Sequence, residues 1–321
     1  MKCDFISAFA LQMTDMLEFK EALGYARSSY DKFLLSFDRF CIKAYPEQNI
    51  LTQKIVSHWA IAKQNESAAG VTRRLIAIRE FGKYLVSVGC DAYIVPSEFI
   101  GGFKKFMPYI YTDEEITKFF IGADNLPPYW SSPLRDYTAP VLFRLMYCCG
   151  LRPAEIRLLK RIEVDFTESF VLISESKSNK DRIVTVDPGV MALCERYDFI
   201  ANIMFPEREY FFPSSNGGAY TANLIQNLFH RCWRQAGISF SRSQKPRVTD
   251  FRHNFATRTF MNWLDEGKDI NALMPYLSAY MGHSEFRHTA YYISLIPDRL
   301  IRSSGVQWDR MNALVPEVNL T

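Results

Sequence analysis

No apolar run in this 321-residue sequence approaches the ~20 residues that a membrane-spanning helix needs, so no bilayer span is predicted. The seven cysteines are odd in number and include no CxxC pair, which excludes a disulfide framework and a thiolate zinc site of ordinary spacing. Cys148 and Cys149 sit inside an apolar run and read as reduced, buried thiols of a cytoplasmic protein. The N-terminal "MKCDFISAFALQMTD" lacks a small-residue cleavage site and is interrupted by Asp4, so no signal peptide is expected. Internal repeats and low-complexity segments are also missing. The net charge is only +3, which permits a polyanionic partner without demanding one. What remains is a globular composition, 48% hydrophobic and 23% charged, in a chain long enough for two domains.

The first hundred residues carry helical periodicity alone. "SSYDKFLLSFDRFCIKAY" opens at a serine cap, "TQKIVSHWAIAKQ" at a threonine cap, and "SAAGVTRRLIAIREFGKYLVSVG" closes at Gly89. Four or five short helices and no strand are predicted there. "VPSEFIGGFKKFMPYIYTDEEI" breaks the pattern with prolines and glycines and is the linker, with a boundary near residue 109. Beyond it, "TDEEITKFF" caps a new helix. "APVLFRLMYCCGLRPAEIRLLK" reads as helix, break at Gly150, helix. "SFVLIS" and "RIVTVD" are strand-length β-branched runs joined by the hairpin loop "ESKSNKD".

Four separated pieces carry chemistry. In "GLRPAEI", Arg152 stands at the mouth of a helix, where free N–H groups and a guanidinium fork suit an anion. Lys177 and Lys180 share the hairpin loop. Arg252 lies in "RVTDFRHNFATRTF", on a helix beginning near Thr249. "GHSEFRHTAYYISL" holds His283 and two adjacent tyrosines, Tyr291 and Tyr292, which helical geometry alone leaves tied. For His283 and Tyr292 to share a site, the chain must bend near Gly282 and Ser284. His58 and His230, in helical patterns without chemical company, read as structural, and His288 as exposed.

In order and spacing these boxes resemble the tyrosine recombinases, the phage integrase family. That family reads G-L-R-x-x-E-L, a hairpin lysine, H-x-L-R-H-x-F-A-T, and L-G-H followed nine residues later by tyrosine. The resemblance implies a mainly α fold. Residues 1–109 would be a helical core-binding domain that binds DNA. Residues 110–321 would be a mixed, mostly helical catalytic domain with a small antiparallel sheet and a C-terminal tail. Together they would close as a C-shaped clamp on duplex DNA.

It also implies a site-specific recombinase or integrase, working through a 3′-phosphotyrosyl intermediate in integration, excision or transposition. Arg152 and Arg252 would hold the scissile phosphate, Lys177 would protonate the leaving 5′-oxygen, and His283 would contact the phosphate or assist the tyrosine. Tyr292, at the family offset from His283, would be the nucleophile, with Tyr291 its internal control. Glu155 would brace the arginines and His253 would pack behind them. No metal or other cofactor is implied. Partners would be double-stranded DNA, sister copies forming a tetramer on two sites, and accessory DNA-bending or directionality proteins, in the prokaryotic cytoplasm beside the nucleoid. The tail beyond Tyr292, with Leu300, Ile301, Val306 and Trp308 as anchors, would dock on a neighbouring copy.

The second box departs from the family at its first position, where Thr249 replaces histidine. Threonine can donate a hydrogen bond to phosphate, but its hydroxyl does not titrate near neutrality. Arg73, Arg74 and Lys83 could touch phosphates or form an ordinary solvated helix face, with Ile76, Ile78 and Phe81 in the core. Arg247, in the basic "SRSQKPRVT", and Lys180 are further DNA-contact candidates. The rival readings are an architectural DNA-binding protein of the same fold that has lost the chemistry, supported by Thr249 alone, and a relaxing topoisomerase of the 3′-linked tyrosine type.

Overall fold

The computed structural model describes residues 5–25, 27–61, 66–100, 107–174, 181–239, 245–283 and 285–292. The chain divides into two compact units, Met1–Phe106 and Met107–Thr321. Among the described residues, no helix is long and apolar enough to cross a membrane.

The first unit is built on α1 (Ala10–Ala22), α2 (Asp31–Ala44), α3 (Gln53–Ala60) and α4 (Ala68–Ser87). Thr52 and Ser67 cap α3 and α4, their hydroxyls accepting from the N–H groups of Ile55 and Gly70. The expected serine cap of α2 is not used. Arg27–Ser29 form a 3-10 turn and α2 begins after Tyr30. Gly89 ends α4 at a φ of 82°, a conformation that L side chains rarely adopt. The core interdigitates Phe9, Met13, Phe37, Trp59, Ile78 and Phe81, all nearly fully buried.

The second unit opens with α5 (Asp113–Asp124), where Thr112 and Glu115 form a reciprocal capping box. Next come α6 (Arg135–Cys149) and α7 (Pro153–Leu158). An antiparallel sheet follows in the order β1 (Val164–Asp165), β2 (Phe170–Ile173), β3 (Arg182–Thr185). Both expected strands form, and the two-residue β1 extends them. Val171 pairs with Val184, both fully buried. Side chains alternate along a strand, so Arg182, two residues before Val184, shares its inward face. Then come α8 (Pro188–Met204), α9 (Ala222–Gln235), α10 (Asp250–Asp265), α11 (Ile270–Met281) and the short α12 (Arg287–Ala290).

An aromatic cluster of Phe119, Phe143, Phe229, Trp233 and Phe251 fixes α10 against α5, α6 and α9. Asn254 strengthens that seat. Its amide accepts from the Tyr111 N–H at 3.0 Å and donates to the Tyr109 carbonyl at 3.1 Å. The residue after the core anchor Phe251 is Arg252.

Candidate active site

An α-helix leaves its last carbonyls without intrahelical partners and carries partial negative charge at that end. At the end of α11 three arginines from three elements take up this capacity. Arg182 Nε of β3 donates to the Tyr280 carbonyl at 2.8 Å, and Arg252 Nη2 of α10 to the Met281 carbonyl at 2.5 Å. Arg152 Nη2, at the start of α7, donates to the Gly282 carbonyl at 2.7 Å. Gly282 makes the crowding possible: it adopts a φ of 65°, and a Cβ there would lie 2.9 Å from Arg182 Nη1.

Glu155 ties two of the three together. Its carboxylate accepts from the Arg152 backbone N–H at 2.8 Å and from Arg152 Nη1 at 2.5 Å. It also accepts from Arg182 Nη1 and Nη2 at 3.0 and 2.8 Å. Burial alone would raise the Glu155 carboxyl, but these bonds outweigh it and hold the group below its ordinary value.

Arg252 is different. Its guanidinium is almost completely buried, 4% exposed, and bonds to the Gly150 carbonyl at 2.7 Å, the Met281 carbonyl and His283 Nε2 at 2.9 Å. All three are neutral acceptors, and among the described residues it makes no ion pair. Burial and the nearby Arg152 push it down to about 10, so it stays charged at neutral pH. Gly150 serves this contact: it ends α6 at a φ of 63°, with Phe255 packed where a Cβ would stand.

The hydrogen bonds also fix the state of His283. A guanidinium only donates, so Nε2 must accept from Arg252. Nδ1 then carries the hydrogen and donates to Thr289 Oγ1 at 2.7 Å. Burial, Arg252 and Arg152 push His283 down to about 3, in agreement with a neutral ring. The Tyr292 ring stacks on His283 with centroids 5.9 Å apart. It is 3% exposed, whereas Tyr291 is only partly buried. Burial raises the Tyr292 hydroxyl above its ordinary value, opposed by Arg252 and Arg152.

His253, one residue past Arg252, packs its ring 5.5 Å from that of Tyr292. Burial, Arg247 and Arg252 lower it to about 4. Thr249 is the residue before α10, partly buried and making no side-chain capping bond.

Two neutral, partly buried histidines predict acid lability. The unfolded chain takes up their protons from about pH 6.5 downward, while the folded state resists until about 4 and 3. Between those values the unfolded state binds more protons, so stability falls as pH falls. From pH 7 to 4.5 the expected loss is on the order of 1–3 kcal/mol per histidine, read from urea unfolding midpoints. His283→Gln is expected to flatten the slope.

The structure thus gathers Arg152, Glu155, Arg252, His253, His283 and Tyr292 around one point. Arg182 was missed in the sequence, although it opens the strand after the expected lysine loop. Thr289, fully buried and holding His283, was also missed. Lys177 and Lys180 lie outside the described residues, as does the tail from 293 onward. Arg247 pairs with Asp250 at 3.1 Å with its side chain 41% exposed. In the first unit Arg73 is exposed, and Lys83 is exposed with an ion pair to Glu80 at 2.8 Å.

Arg74 is corrected. It is 4% exposed, pairs with Glu66 at 2.7 Å, bonds to the Trp59 and Ile61 carbonyls and covers the Trp59 ring at 4.6 Å. A guanidinium held inward in this way pins α4 to α3 and cannot reach a phosphate. His58 bonds to Tyr45 and His230 to Gln226, and His288 is exposed.

Residues 112–298, more than half of the chain, match the model of the phage integrase family. The chain belongs to that family. It is a tyrosine-type site-specific DNA recombinase. It is 28% identical over 302 residues to y4rB of Sinorhizobium fredii, provisionally named an integrase/recombinase, covering 91% of this chain and 95% of that one. Its fold is similar to that of the XerH site-specific recombinase bound to palindromic difH substrate in a post-cleavage complex. The TM-score is 0.65 at 20% identity, covering 94% of this chain and 85% of the other. A lambda integrase tetramer bound to a Holliday junction has the same fold, with a TM-score of 0.61 at 13% identity, covering 93% and 78%.

Proposed function

We propose that this recombinase breaks and rejoins double-stranded DNA with Tyr292 as nucleophile, forming a 3′-phosphotyrosyl intermediate. The observation that carries the reading is the buried Arg252, held by neutral acceptors and lying against Tyr292. A desolvated cation without a carboxylate partner is costly, and a scissile phosphate is the anion that offsets it. Arg152 supplies the second guanidinium. Charge accumulating on the non-bridging oxygens in the transition state meets donors already in place, which lowers the barrier. Glu155 and Arg182 hold Arg152 in its fork, and His283 orients Arg252.

Lys177 is the general acid for the leaving 5′-oxygen. In its favour, the strand that follows its loop begins at Arg182, whose guanidinium is bonded to Glu155. Thr249 contributes a hydroxyl contact to the phosphate. Arg73, Lys83, Lys180 and Arg247 contact the DNA backbone, so affinity falls steeply with salt. The helical first unit is the core-binding domain, and copies assemble as a tetramer on paired sites, as the lambda integrase structure does on its junction. The protein acts in the cytoplasm, on nucleoid DNA.

The test is covalent trapping. On a nicked suicide duplex containing the cleavage site, the wild type and Tyr291→Phe are expected to give an adduct stable to detergent. Tyr292→Phe is expected to give none. An adduct that survives Tyr292→Phe disproves the assignment.

A further inference from the structure

We propose that His253 accepts the proton of the Tyr292 hydroxyl during strand cleavage, a task open to it because position 249 is threonine; the proposal rests on Tyr292 being the nucleophile. Thr249 already has α-helical backbone angles, φ −63° and ψ −25°, so the spiral of α10 extends through it. Residues four apart lie on one helix face, and side chains lean toward the helix N-terminus. His253 therefore stands one turn after Thr249 on the same face of the helix. Its Nδ1 is buried and has no hydrogen-bond partner among the described residues. A buried polar atom without a partner is rare and calls for a reason. The ring lies 5.5 Å from that of Tyr292 and 6.5 Å from that of Tyr291, centroid to centroid.

The other imidazole at the site is committed. His283 Nε2 accepts from Arg252 and its Nδ1–H donates to Thr289, so it can take a proton only by giving up an arginine contact. His253 in its Nε2–H tautomer offers a lone pair on Nδ1 that is not used.

The step balances. The Tyr292 O–H bond breaks and its proton passes to His253 Nδ1 as the tyrosine oxygen bonds to phosphorus. The bond from phosphorus to the 5′-oxygen breaks, and that oxygen takes a proton from Lys177. In rejoining, the 5′-hydroxyl attacks phosphorus and returns its proton to Lys177, while the His253 imidazolium returns its own to the tyrosine oxygen. The groups around His253 are Arg247 before α10, Arg252 beside it on α10, and Tyr291 and Tyr292 from the turn after α12. The two arginines disfavour the imidazolium in the free protein. A phosphodiester at Arg252 offsets them, so substrate binding makes His253 a better proton acceptor.

The substrate for the test is a nicked duplex whose sequence is recovered by covalent capture of the wild-type protein on a random duplex pool. The rate of adduct formation is followed between pH 5 and 8.5 for the full chain. The wild type is expected to lose rate toward acid pH as His253 becomes protonated. H253Q is expected to be slower by on the order of 100-fold and to lack that acid limb. T249H/H253Q is expected to recover at least about tenfold of the loss, because a histidine one turn earlier on the same face restores a proton acceptor. A merely structural role for His253 would show no such rescue. H253N is made alongside, and the kinetics are read on whichever single variant keeps the wild-type melting transition. A rate within threefold of wild type with the acid limb intact, or no rescue by T249H, overturns the proposal. An adduct that persists in Y292F instead overturns the nucleophile assignment, which keeps the two failures apart.

Discussion

Glu155→Ala is expected to lower the stability of the second unit by about 3–5 kcal/mol, the usual cost of removing one partner from a buried ionic cluster. The Glu155 side chain is 6% exposed and receives four charge-assisted hydrogen bonds, from the Arg152 backbone and guanidinium and from both Arg182 terminal nitrogens. Without it, two guanidinium groups remain beside Arg252 with no carboxylate between them. Arg152, the residue before α7, also loses the acceptor of its backbone N–H. Urea unfolding of the full chain measures the effect as a shift in midpoint at constant slope. Glu155→Gln keeps the shape and one acceptor oxygen but not the charge, and is expected to fall between. Removing Arg182 as well, in Glu155→Ala/Arg182→Met, is expected to recover part of the loss, because a cation then no longer lies buried without its partner. A shift under 1 kcal/mol for Glu155→Ala would mean that the cluster is hydrated and that Arg152 is not held by it.

How much of this was legible in the sequence depends on whether a residue's role is local. Glu155 lies three positions after Arg152, so its reach back to the helix start follows from helical geometry alone. Gly150 and Gly282 stand where their helices must stop, and both take the left-handed conformation that the breaks imply. The inward placement of Arg74 is also legible, from its helical phase. Arg74, Ile78, Phe81 and Leu85 fall at i, i+4, i+7 and i+11, the stripe that faces the core. A charge in that stripe needs a partner, which is Glu66. Arg182 could not be found in that way. Its partners, Glu155 and the Tyr280 carbonyl, are 27 and 98 residues away, and only the closed sheet and the end of α11 bring them to it. Periodicity alone leaves Tyr291 and Tyr292 equivalent, and the family offset from His283 favours Tyr292; the structure packs the Tyr292 ring against His283 and His253 while Tyr291 stays partly open.

Arg252→Ala is expected to slow covalent adduct formation by about 10³-fold or more, with much less effect on DNA affinity. The magnitude follows from the loss of a preorganised donor at the site of developing charge, which alone costs about 10²–10³-fold in rate, compounded by the loss of a full positive charge from a dry site. Affinity is buffered because it sums many phosphate contacts, of which Arg252 would make one. Arg252→Lys tests whether charge or geometry matters more. An ammonium keeps the charge, but it cannot reach the Gly150 and Met281 carbonyls and His283 Nε2 at once as the planar fork does. It is expected to recover no more than about tenfold of the alanine loss. Either substitution also leaves at least one of those carbonyls without its donor, so the melting transition must be measured on the same samples and rates compared below it. Binding and cleavage that fall by the same factor would make Arg252 a binding residue only. A rate loss well beyond the affinity loss is the signature of a guanidinium whose bonds tighten in the transition state.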